Sequence, residues 1–272
     1  MELTTLFKTL TPVIGVVHLL PLPSSPRWQG SLQGVVDRAL QEAVALASGG
    51  VHGIIIENFF DAPFTKDRVD PAVVSAMTIV VSRLRQVVAV PIGVNVLRND
   101  ARSGLAISAC TGAQFIRVNV LTGVMATDQG IIEGDAHRLM RYRRELGANV
   151  KVFADVLVKH ASPLGIVVPK TAMANAVADT IHRGLADAVI VSGTATGEPP
   201  TSQDLTDAKA AAGKAPVLVG SGATVDNISK LMQVADGVIV SSSLKRWGQI
   251  EQPVDPYRVG QFMDAVPVNG KS

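Results

Sequence analysis

The chain has 272 residues, of which 47% are hydrophobic and 18% are charged, and its formal net charge at pH 7 is +2. This hydrophobic content excludes an intrinsically disordered protein. The small net charge gives no reason to expect nucleic acid as a partner. The single cysteine, Cys110, excludes an internal disulfide and a thiolate metal cluster and indicates a reducing compartment. No apolar run reaches the roughly 18 residues of a membrane-spanning helix, so any membrane association is expected to be peripheral.

In chain order, short runs rich in valine and isoleucine alternate with segments typical of helices. The predicted strands are Val13–His18, Gly53–Phe59, Ile92–Leu97, Phe115–Leu121, Val152–Lys159, Ala188–Gly193, Val217–Gly222 and Gly237–Ser242. The predicted helices are Ser31–Ala47, Pro71–Val88, Ala101–Cys110, Asp135–Leu146, Ala172–Arg183, Ser202–Ala212, Thr224–Gln233 and Pro256–Ala265. Prolines after Asp70 and Asp255 are typical of helix starts, in which the aspartate caps the helix.

Eight strand–helix units with apolar strands predict a parallel sheet that is covered on both faces. Eight parallel strands close into a barrel with a filled interior, and about 250 residues is the usual length of such a barrel. We therefore predict a single α/β domain over residues 1–272, folded as a TIM-type (β/α)8 barrel of parallel strands. A doubly wound open sheet is the alternative, but prolines after His18 replace the glycine-rich loop expected behind its first strand.

The tetrapeptide Val-Asn-Val-Leu occurs twice, at Val94–Leu97 and Val118–Leu121, and predicts two neighbouring strands that carry amides on one face. In a barrel of this type, the functional face lies at the carboxyl ends of the strands. Strand alternation directs five polar side chains into the barrel interior at that end: Glu57, Asn95, Arg117, Asn119 and Asp155.

These polar side chains are candidates for ligand binding and for acid–base chemistry. We expect Asp155, Glu57 and Lys159 to be catalytic. The predicted ligand-binding residues are Asn95, Arg117, Asn119 and Ser192. The alternative is that Glu57, Arg117 and Asp155 form a satisfied charge network that only closes the mouth of the barrel.

Small residues follow the seventh and eighth predicted strands, where many barrels bind a phosphate group. Backbone N–H groups can approach an anion closely there, and a short helix after strand eight would add its N-terminal partial charge. The predicted phosphate-binding residues are Gly220, Ser221, Gly222, Ser241 and Ser242, with Lys245 and Arg246 as sources of counter-charge. The alternative is that these glycines and serines only form tight turns.

Four side chains have the chemistry of metal ligands: His18, Glu57, Asp155 and His160. They come from separate strands without a metal-binding spacing, so we predict no metal and no other cofactor. Cys110 lies in an apolar helical run and is expected in the core.

One predicted helix carries a basic stripe. Arg138, Arg141 and Arg144 recur every three residues, which places them on one face, and Lys151 follows the helix. Such a stripe could contact anionic lipid or an acidic protein, and a solvated helix face is the alternative.

Long motifs in the chain resemble those of the BtpA family. They are Gly15–Leu19 followed by prolines, Gly53–Phe59 with Asp61–Phe64, Gly93–Asp100, Phe115–Gly123 with Thr127–Gly130, Ala154–Asp155 with Val158–His160, and Ala195–Gly197. The resemblance covers nearly the whole chain and implies a TIM-type barrel. It also implies a role in the accumulation or stabilisation of photosystem I reaction-centre proteins, which is the role of the family's cyanobacterial member.

The resemblance further implies an extrinsic protein on the cytoplasmic side of the thylakoid membrane, with photosystem I components or their assembly intermediates as partners. Other members are suspected enzymes with no agreed reaction. Leu157 departs from the family pattern, because many relatives carry a histidine there, and Ser241-Ser242 replaces a more usual Gly-Thr. These departures favour a photosystem I biogenesis factor without enzymatic activity. The alternative is a TIM-barrel enzyme (a lyase, isomerase or hydrolase) or a sensor of a small phosphorylated metabolite, and a homo-oligomer is left open.

Overall fold

The valine- and isoleucine-rich runs form parallel strands that close into a barrel. The computed structural model describes residues 2–165, 171–193 and 197–267. The strands in these residues are β1 (Val13–His18), β2 (Gly53–Glu57), β3 (Ile92–Asn95), β4 (Phe115–Val118), β5 (Val124–Thr127), β6 (Gly130–Glu133), β7 (Lys151–Val156), β8 (Ala161–Pro163), β9 (Ala188–Val191), β10 (Val217–Val219) and β11 (Gly237–Val240). The barrel order is β1-β2-β3-β4-β7-β9-β10-β11, and β11 pairs with β1 to close it. The predicted TIM-type (β/α)8 barrel is confirmed.

Helices surround the barrel and cover the outer faces of its strands. In the described part of the chain they are α1 (Leu3–Phe7), α2 (Leu32–Ser48), α3 (Pro71–Val87), α4 (Ala101–Thr111), α5 (Ala136–Glu145), α6 (Ala172–Ala178), α7 (Ser202–Ala212), α8 (Ile228–Leu231) and α9 (Pro256–Asp264). The predicted caps are confirmed, because Asp70 accepts a hydrogen bond from Ala72 N–H and Asp255 accepts one from Tyr257 N–H. The side chains satisfy N–H groups that the first helical turn leaves unpaired.

The predicted helix Thr224–Gln233 is wrong in length, because the α-helix is restricted to Ile228–Leu231. The side chain of Asn227 explains the late start. Its Oδ1 accepts from Thr224 N–H at 2.8 Å and its Nδ2 donates to the Gly222 carbonyl at 2.8 Å. Asparagine side chains that bond the local backbone in this way stabilise a turn instead of a helix.

Aromatic side chains fill the amino-terminal end of the barrel. Phe7 of α1 lies edge-on to Phe115 of β4 with ring centroids 5.6 Å apart, and Phe115 stacks on Phe153 of β7 at 4.8 Å. Gly93 makes room for this layer, because a Cβ there would overlap the ring of Phe115. The layer closes the barrel from below, so the polar interior side chains lie at the carboxyl end.

Strand register sets the height of those polar side chains. His18 pairs with Glu57 across β1 and β2, and Glu57 pairs with Asn95 across β2 and β3. Arg117 pairs with Phe153 across β4 and β7, so Asp155 lies two residues further along the same face of its strand. The sequence spacing therefore brings a histidine, two carboxylates, an amide and an arginine together at the mouth.

A second sheet, which the sequence analysis did not predict, lies beyond the carboxyl end of β4. It is antiparallel, with β5 between β6 and β8. A small apolar cluster joins it to the barrel through Val120, Met125, Ile132 and Val158. The sheet therefore anchors the segment around residue 160 beside the mouth.

Cys110 is exposed near the end of α4, so the prediction that it belongs to the core is wrong. The buried residues of this helix, Gly104, Leu105, Ile107 and Ser108, define a face that excludes Cys110. An apolar composition thus did not reveal which side of the helix faces the barrel. Within the residues described, no helix is both long and apolar enough to span a bilayer.

Candidate functional site

Arg117 is the centre of a hydrogen-bonded charge network at the mouth of the barrel. Its Nε and Nη2 donate to the two carboxylate oxygens of Asp155 at 3.0 and 2.9 Å, and its Nη1 donates to Glu57 Oε1 at 3.2 Å. All three side chains are buried. The bidentate contact with Asp155 fixes the plane of the guanidinium. The pairing of these charges offsets the free-energy cost of removing them from water.

Two asparagines complete the network. Asn95 Nδ2 donates to Glu57 Oε1 at 3.0 Å, and Asn119 Nδ2 donates to Asp155 Oδ2 at 2.8 Å. The Oδ1 of Asn119 is buried, and no donor to it exists among the described residues. A buried acceptor without a donor costs about 1–3 kcal/mol, so this oxygen is a natural contact for a bound molecule.

The structure therefore brings together the five side chains that strand alternation directs inward, and that placement is confirmed. The hydrogen bonds that the alternative interpretation expects among Glu57, Arg117 and Asp155 are present, and its claim that they only close the mouth stays a prediction. Their catalytic and ligand-binding roles stay predictions.

His18 lies beside Glu57 and against an aromatic ring. Its Nε2 is 3.6 Å from Glu57 Oε2, its Nδ1 is 3.5 Å from Ser241 Oγ, and its ring stacks on Phe59 with centroids 4.3 Å apart. Burial lowers the pKa of His18 and outweighs the opposing effect of Glu57. The imidazole is therefore neutral at pH 7.

Glu57 is held in its ionised form. Burial alone would raise the pKa of Glu57, but His18, Arg117 and Asn95 favour the carboxylate and lower that pKa to about 2. Burial lowers the pKa of Arg117, but the carboxylates of Asp155 and Glu57 outweigh it and raise that pKa. A carboxylate of so low a pKa exchanges protons poorly near pH 7, so Glu57 serves better to orient Arg117 than as an acid–base group.

Lys159 lies at the edge of the network with its ammonium uncommitted. Its backbone carbonyl accepts a hydrogen bond from Arg98 Nη2 at 2.8 Å, whereas its Nζ makes none to a residue in the described ranges. Burial lowers the pKa of Lys159, the cation of Arg117 lowers it further, and the result is about 8. A partly deprotonated amine near neutral pH is chemically available, as its predicted catalytic role requires.

A cavity of about 200 Å³ lies above the network. A cavity of this volume has room for several water molecules or for a small metabolite. Its polar wall includes His18, Glu57, Asn95, Arg117, Asn119 and Lys159, and its apolar wall includes Phe59 and Phe64. Sequence reasoning missed Arg98, Phe59 and Phe64 as lining residues, although each lies just beyond a predicted strand end or within a family motif.

All five predicted phosphate-binding residues line this cavity: Gly220, Ser221, Gly222, Ser241 and Ser242. The hydroxyl of Ser221 donates to the Glu198 carbonyl at 2.8 Å and accepts from Gly193 N–H at 3.4 Å. It therefore holds the loop after β9 in place. Gly222 has a φ of +75° and touches the backbone of Pro199, so a Cβ there would clash with that loop.

Ser192 lies behind the same wall. A Cβ on Gly220 would come within 2.5 Å of Ser192 Oγ, and that hydroxyl is buried with no hydrogen-bond partner in the part of the chain that is described. Ser192 therefore lies next to Gly220 but is not among the residues that line the cavity. Of the motif Ala195–Gly197, residues 195 and 196 lie outside the described residues.

Lys245 and Arg246, the expected counter-charges for a phosphate, do not line the cavity. Lys245 is buried and donates to Glu42 Oε2 of α2 at 2.6 Å, and Arg246 is exposed beside Trp247. The prediction that they serve a phosphate site is wrong, because the buried carboxylate of Glu42 pairs with Lys245 outside the barrel. The segment after β11 is a three-residue 3₁₀ turn, Ser242–Leu244, where a short helix was predicted.

The basic stripe on α5 is exposed, but acidic neighbours pair with it. Arg138 lies 3.6 Å from Asp135, and Arg141 lies 2.9 Å from Glu145. This favours a solvated helix face over a docking surface for anions. Across the residues described, no group of three or more histidine, cysteine, aspartate or glutamate side chains is arranged to hold a metal ion.

Known proteins resemble the chain both in sequence and in fold. The photosystem I biogenesis protein BtpA of Synechocystis is 63% identical over 272 residues, which are 100% of this chain and 93% of that protein. An uncharacterised protein of Thermococcus kodakarensis is 45% identical over 253 residues, which are 93% of this chain and 94% of that protein. The solved structure of tryptophan synthase from Mycobacterium tuberculosis has a TM-score of 0.60 and 17% identity, and covers 95% of this chain and 93% of that one. Likeness at that identity shows the fold alone.

The motifs that resemble one family are thus supported by whole-chain similarity. The model described as BtpA family matches residues 9–268, which include every residue of the charge network and the cavity. The chain belongs to the BtpA family.

Proposed function

We propose that this protein is a photosystem I biogenesis factor, needed for the accumulation or stabilisation of photosystem I reaction-centre proteins. The observation that carries this proposal is 63% identity across the whole chain to the Synechocystis protein of that name. The partners are photosystem I components or their assembly intermediates. The site of action is the cytoplasmic side of the thylakoid membrane, to which the protein attaches peripherally.

Complementation tests this role directly. A Synechocystis strain that lacks its own BtpA would receive this chain under the native promoter. Photosystem I would be measured by immunoblots of reaction-centre proteins and by low-temperature fluorescence relative to photosystem II. The expected result is restored photosystem I, and a strain that expresses the folded protein without recovery of photosystem I would overturn the proposal.

Cell fractionation tests the peripheral attachment. The protein is expected to sediment with thylakoids at low salt and to be released by concentrated salt or alkaline carbonate without detergent. Protease added to sealed thylakoids should degrade it, because its surface faces the cytoplasm. Recovery of the protein entirely in the soluble fraction at low salt would contradict membrane attachment.

We further propose that the mouth of the barrel binds a small phosphorylated metabolite, as an enzyme of the lyase, isomerase or hydrolase class or as a sensor. The observation that favours this second function is the charge balance of the cavity. Arg98, Arg117 and Lys159 line the cavity together with the carboxylate of Glu57, whereas Asp155 pairs with Arg117 from outside the lining and exposed Asp128 acts on Arg98 from further away. The lining itself is therefore positively charged when His18 is neutral. An anion of small size restores the balance, and the backbone of the glycine–serine segments offers N–H groups to it.

A relative outside photosynthesis agrees with such a function. The similar protein of Thermococcus kodakarensis, an archaeon, is 45% identical over 93% of this chain. That relative is uncharacterised, so a property of the barrel that it shares with this chain need not involve photosystem I. A metabolite site in the barrel meets that condition, and in this chain it could adjust photosystem I biogenesis to the supply of its ligand.

Calorimetric titration with inorganic phosphate tests the anion site. Lys159→Gln removes one cation of the lining without breaking a hydrogen bond of the network. Loss of one charge-assisted hydrogen bond of about 1.5–3 kcal/mol predicts phosphate binding that is roughly 10- to 100-fold weaker. Lys230→Gln, which changes an exposed lysine of α8, is the matched control. Equal affinity in both variants would refute the site.

A further inference from the structure

Lys159 offers an amine to the mouth cavity, and no acceptor among the described residues is bound to that amine. We propose that Lys159 forms an imine with a small anionic carbonyl compound, an aldehyde or ketone that carries a carboxylate or phosphate. The proposal deepens the second proposed function and depends on the anion site of the barrel mouth. It gives Lys159 the role of nucleophile, and it leaves the cation of Arg98 and the backbone N–H groups of the glycine–serine segments to anchor the anionic group of the ligand.

The backbone around Lys159 is shaped to present this side chain. Leu157 and His160 on either side have φ values of +47° and +56°, in the left-handed region that residues other than glycine rarely adopt. Arg98 fixes the carbonyl between them through its 2.8 Å hydrogen bond to Lys159 O. Val158 packs into the apolar cluster of the second sheet. Strained backbone held by such contacts occurs at functional sites, where it keeps a side chain in one place.

The charges around Lys159 favour the free amine. Burial and the cation of Arg117 lower its pKa, Glu57 and Asp155 oppose that effect, and Arg98 adds to it, with a result of about 8. A lysine next to another cation is a recurrent arrangement for amines that attack carbonyl groups.

Two further charged groups lie close by. His160, whose pKa is lowered by burial and by Lys159, contributes little positive charge at neutral pH. Asp128 is exposed on the turn between β5 and β6 and does not line the cavity. Asp128 accepts a hydrogen bond from Gln129 Nε2 and does not pair with the ammonium of Lys159 within the described chain.

The proposed step balances as an addition followed by loss of water. The lone pair of Lys159 Nζ attacks the carbonyl carbon, and a C–N bond forms while the carbonyl π bond becomes an O–H group with a proton from Nζ. The C–O bond then breaks, and the oxygen leaves as water with the second amine hydrogen, which leaves a C=N bond. Asn119, whose Oδ1 is a buried acceptor without a donor among the described residues, contributes to the same wall.

Reductive trapping tests the imine. The folded protein would be incubated at pH 7.5 with glyoxylate or dihydroxyacetone phosphate and sodium cyanoborohydride, and labelled lysines would be mapped by peptide mass spectrometry. A pKa of about 8, against roughly 10.4 for an ordinary lysine, gives on the order of 100 times more free amine. We expect Lys159 to be labelled at least about tenfold faster than exposed Lys230, with half-maximal rate near pH 8.

Controls separate this inference from the anion site. Lys159→Arg keeps the positive charge and should bind inorganic phosphate while the label at this position disappears. Phosphate should also slow the labelling of Lys159 but not that of Lys230. Labelling of Lys159 no faster than Lys230, in protein that still binds phosphate, would overturn the imine and leave the anion site standing. If the protein neither binds phosphate nor shows faster labelling of Lys159, the imine and the anion site are both overturned.

Discussion

The charge network makes a quantitative prediction about stability and pH. The pKa of Glu57 in the folded protein is about 2, against a reference value of 4.5 for the unfolded chain. The folded state therefore binds fewer protons, so the stabilisation from Glu57 is complete above pH 4.5 and is lost as the pH falls towards 2. The perturbation that exposes this effect is Glu57→Gln, which keeps the shape of the side chain but cannot ionise.

The magnitude follows from the shift. A difference of about 2.5 units at about 1.4 kcal/mol per unit gives about 3 kcal/mol of stability at pH 7. Glu57 is only 5% exposed, so solvent screening reduces this figure little. The wild-type protein is therefore expected to be about 3 kcal/mol more stable than Glu57→Gln at pH 7, and the difference should shrink by about 1 kcal/mol by pH 3.5.

Urea denaturation of both proteins between pH 7 and pH 3.5 measures the difference at each pH. Carboxyl groups remote from the network titrate alike in the two proteins and cancel in the comparison. His18→Gln is introduced into both proteins, because Glu57 raises the pKa of His18 and the histidine would otherwise titrate differently in the two. Glu251→Gln, which alters an exposed glutamate, is the control and should show no pH-dependent difference. A difference between the two proteins that is constant with pH would refute the argument that Arg117 and Asn95 stabilise an ionised Glu57.

Three further substitutions probe the frame of the site. Arg117→Met leaves two buried carboxylates without their cation and should lower the free energy of unfolding by about 3–5 kcal/mol in urea denaturation; a loss below about 1 kcal/mol would contradict the pairing. Gly222 has a φ of +75° and lies against a neighbouring backbone, whereas Gly50 has a φ of +93° and open space around it. Gly222→Ala should therefore lower the free energy of unfolding by about 1–3 kcal/mol more than the control Gly50→Ala. Equal Tm values for the two variants would contradict the clash. If α1 closes the barrel, Phe7→Ala should lower the free energy of unfolding by about 3–5 kcal/mol in thermal denaturation. An unchanged Tm would show that α1 does not close the barrel.

The barrel was predictable because its strands are buried on both faces and therefore stand out as apolar runs. The predicted strands extended too far at their carboxyl ends, as at Phe115–Leu121, where β4 stops at Val118. Asn119 and the residues after it remain inside the barrel without ladder pairing, so hydrophobic periodicity continues past the last hydrogen bond. The small sheet was missed because each of its strands has three or four residues, although the Asp128-Gln129-Gly130 segment between β5 and β6 is a turn signal.

The inward-facing part of the site followed from alternation alone, because Arg117 and Asn119 are two residues apart on one strand path. Contacts between distant segments could not be predicted from strand alternation. The pairing of Lys245 with Glu42 joins residues 203 positions apart, and nothing local in the sequence specifies it. The left-handed backbone on either side of Lys159 was equally hidden, since leucine rarely adopts this conformation and a histidine alone does not predict it.

Leu157 was expected to argue against catalysis in the barrel, because the family resemblance implies a histidine at this position. The structure assigns its side chain to a different cavity of about 200 Å³, which lies between the small sheet and α6 and is lined also by Thr180. Asn119 and Asp155 line this second cavity as well, so an imidazole at position 157 would touch the far side of the network and not the ligand. Leu157→His is therefore expected to leave phosphate affinity and the trapping rate of Lys159 within about twofold of wild type, since the charge balance of the mouth stays the same. A change of tenfold or more in either quantity would place position 157 in the mouth and restore the argument that its loss of a histidine altered the chemistry there.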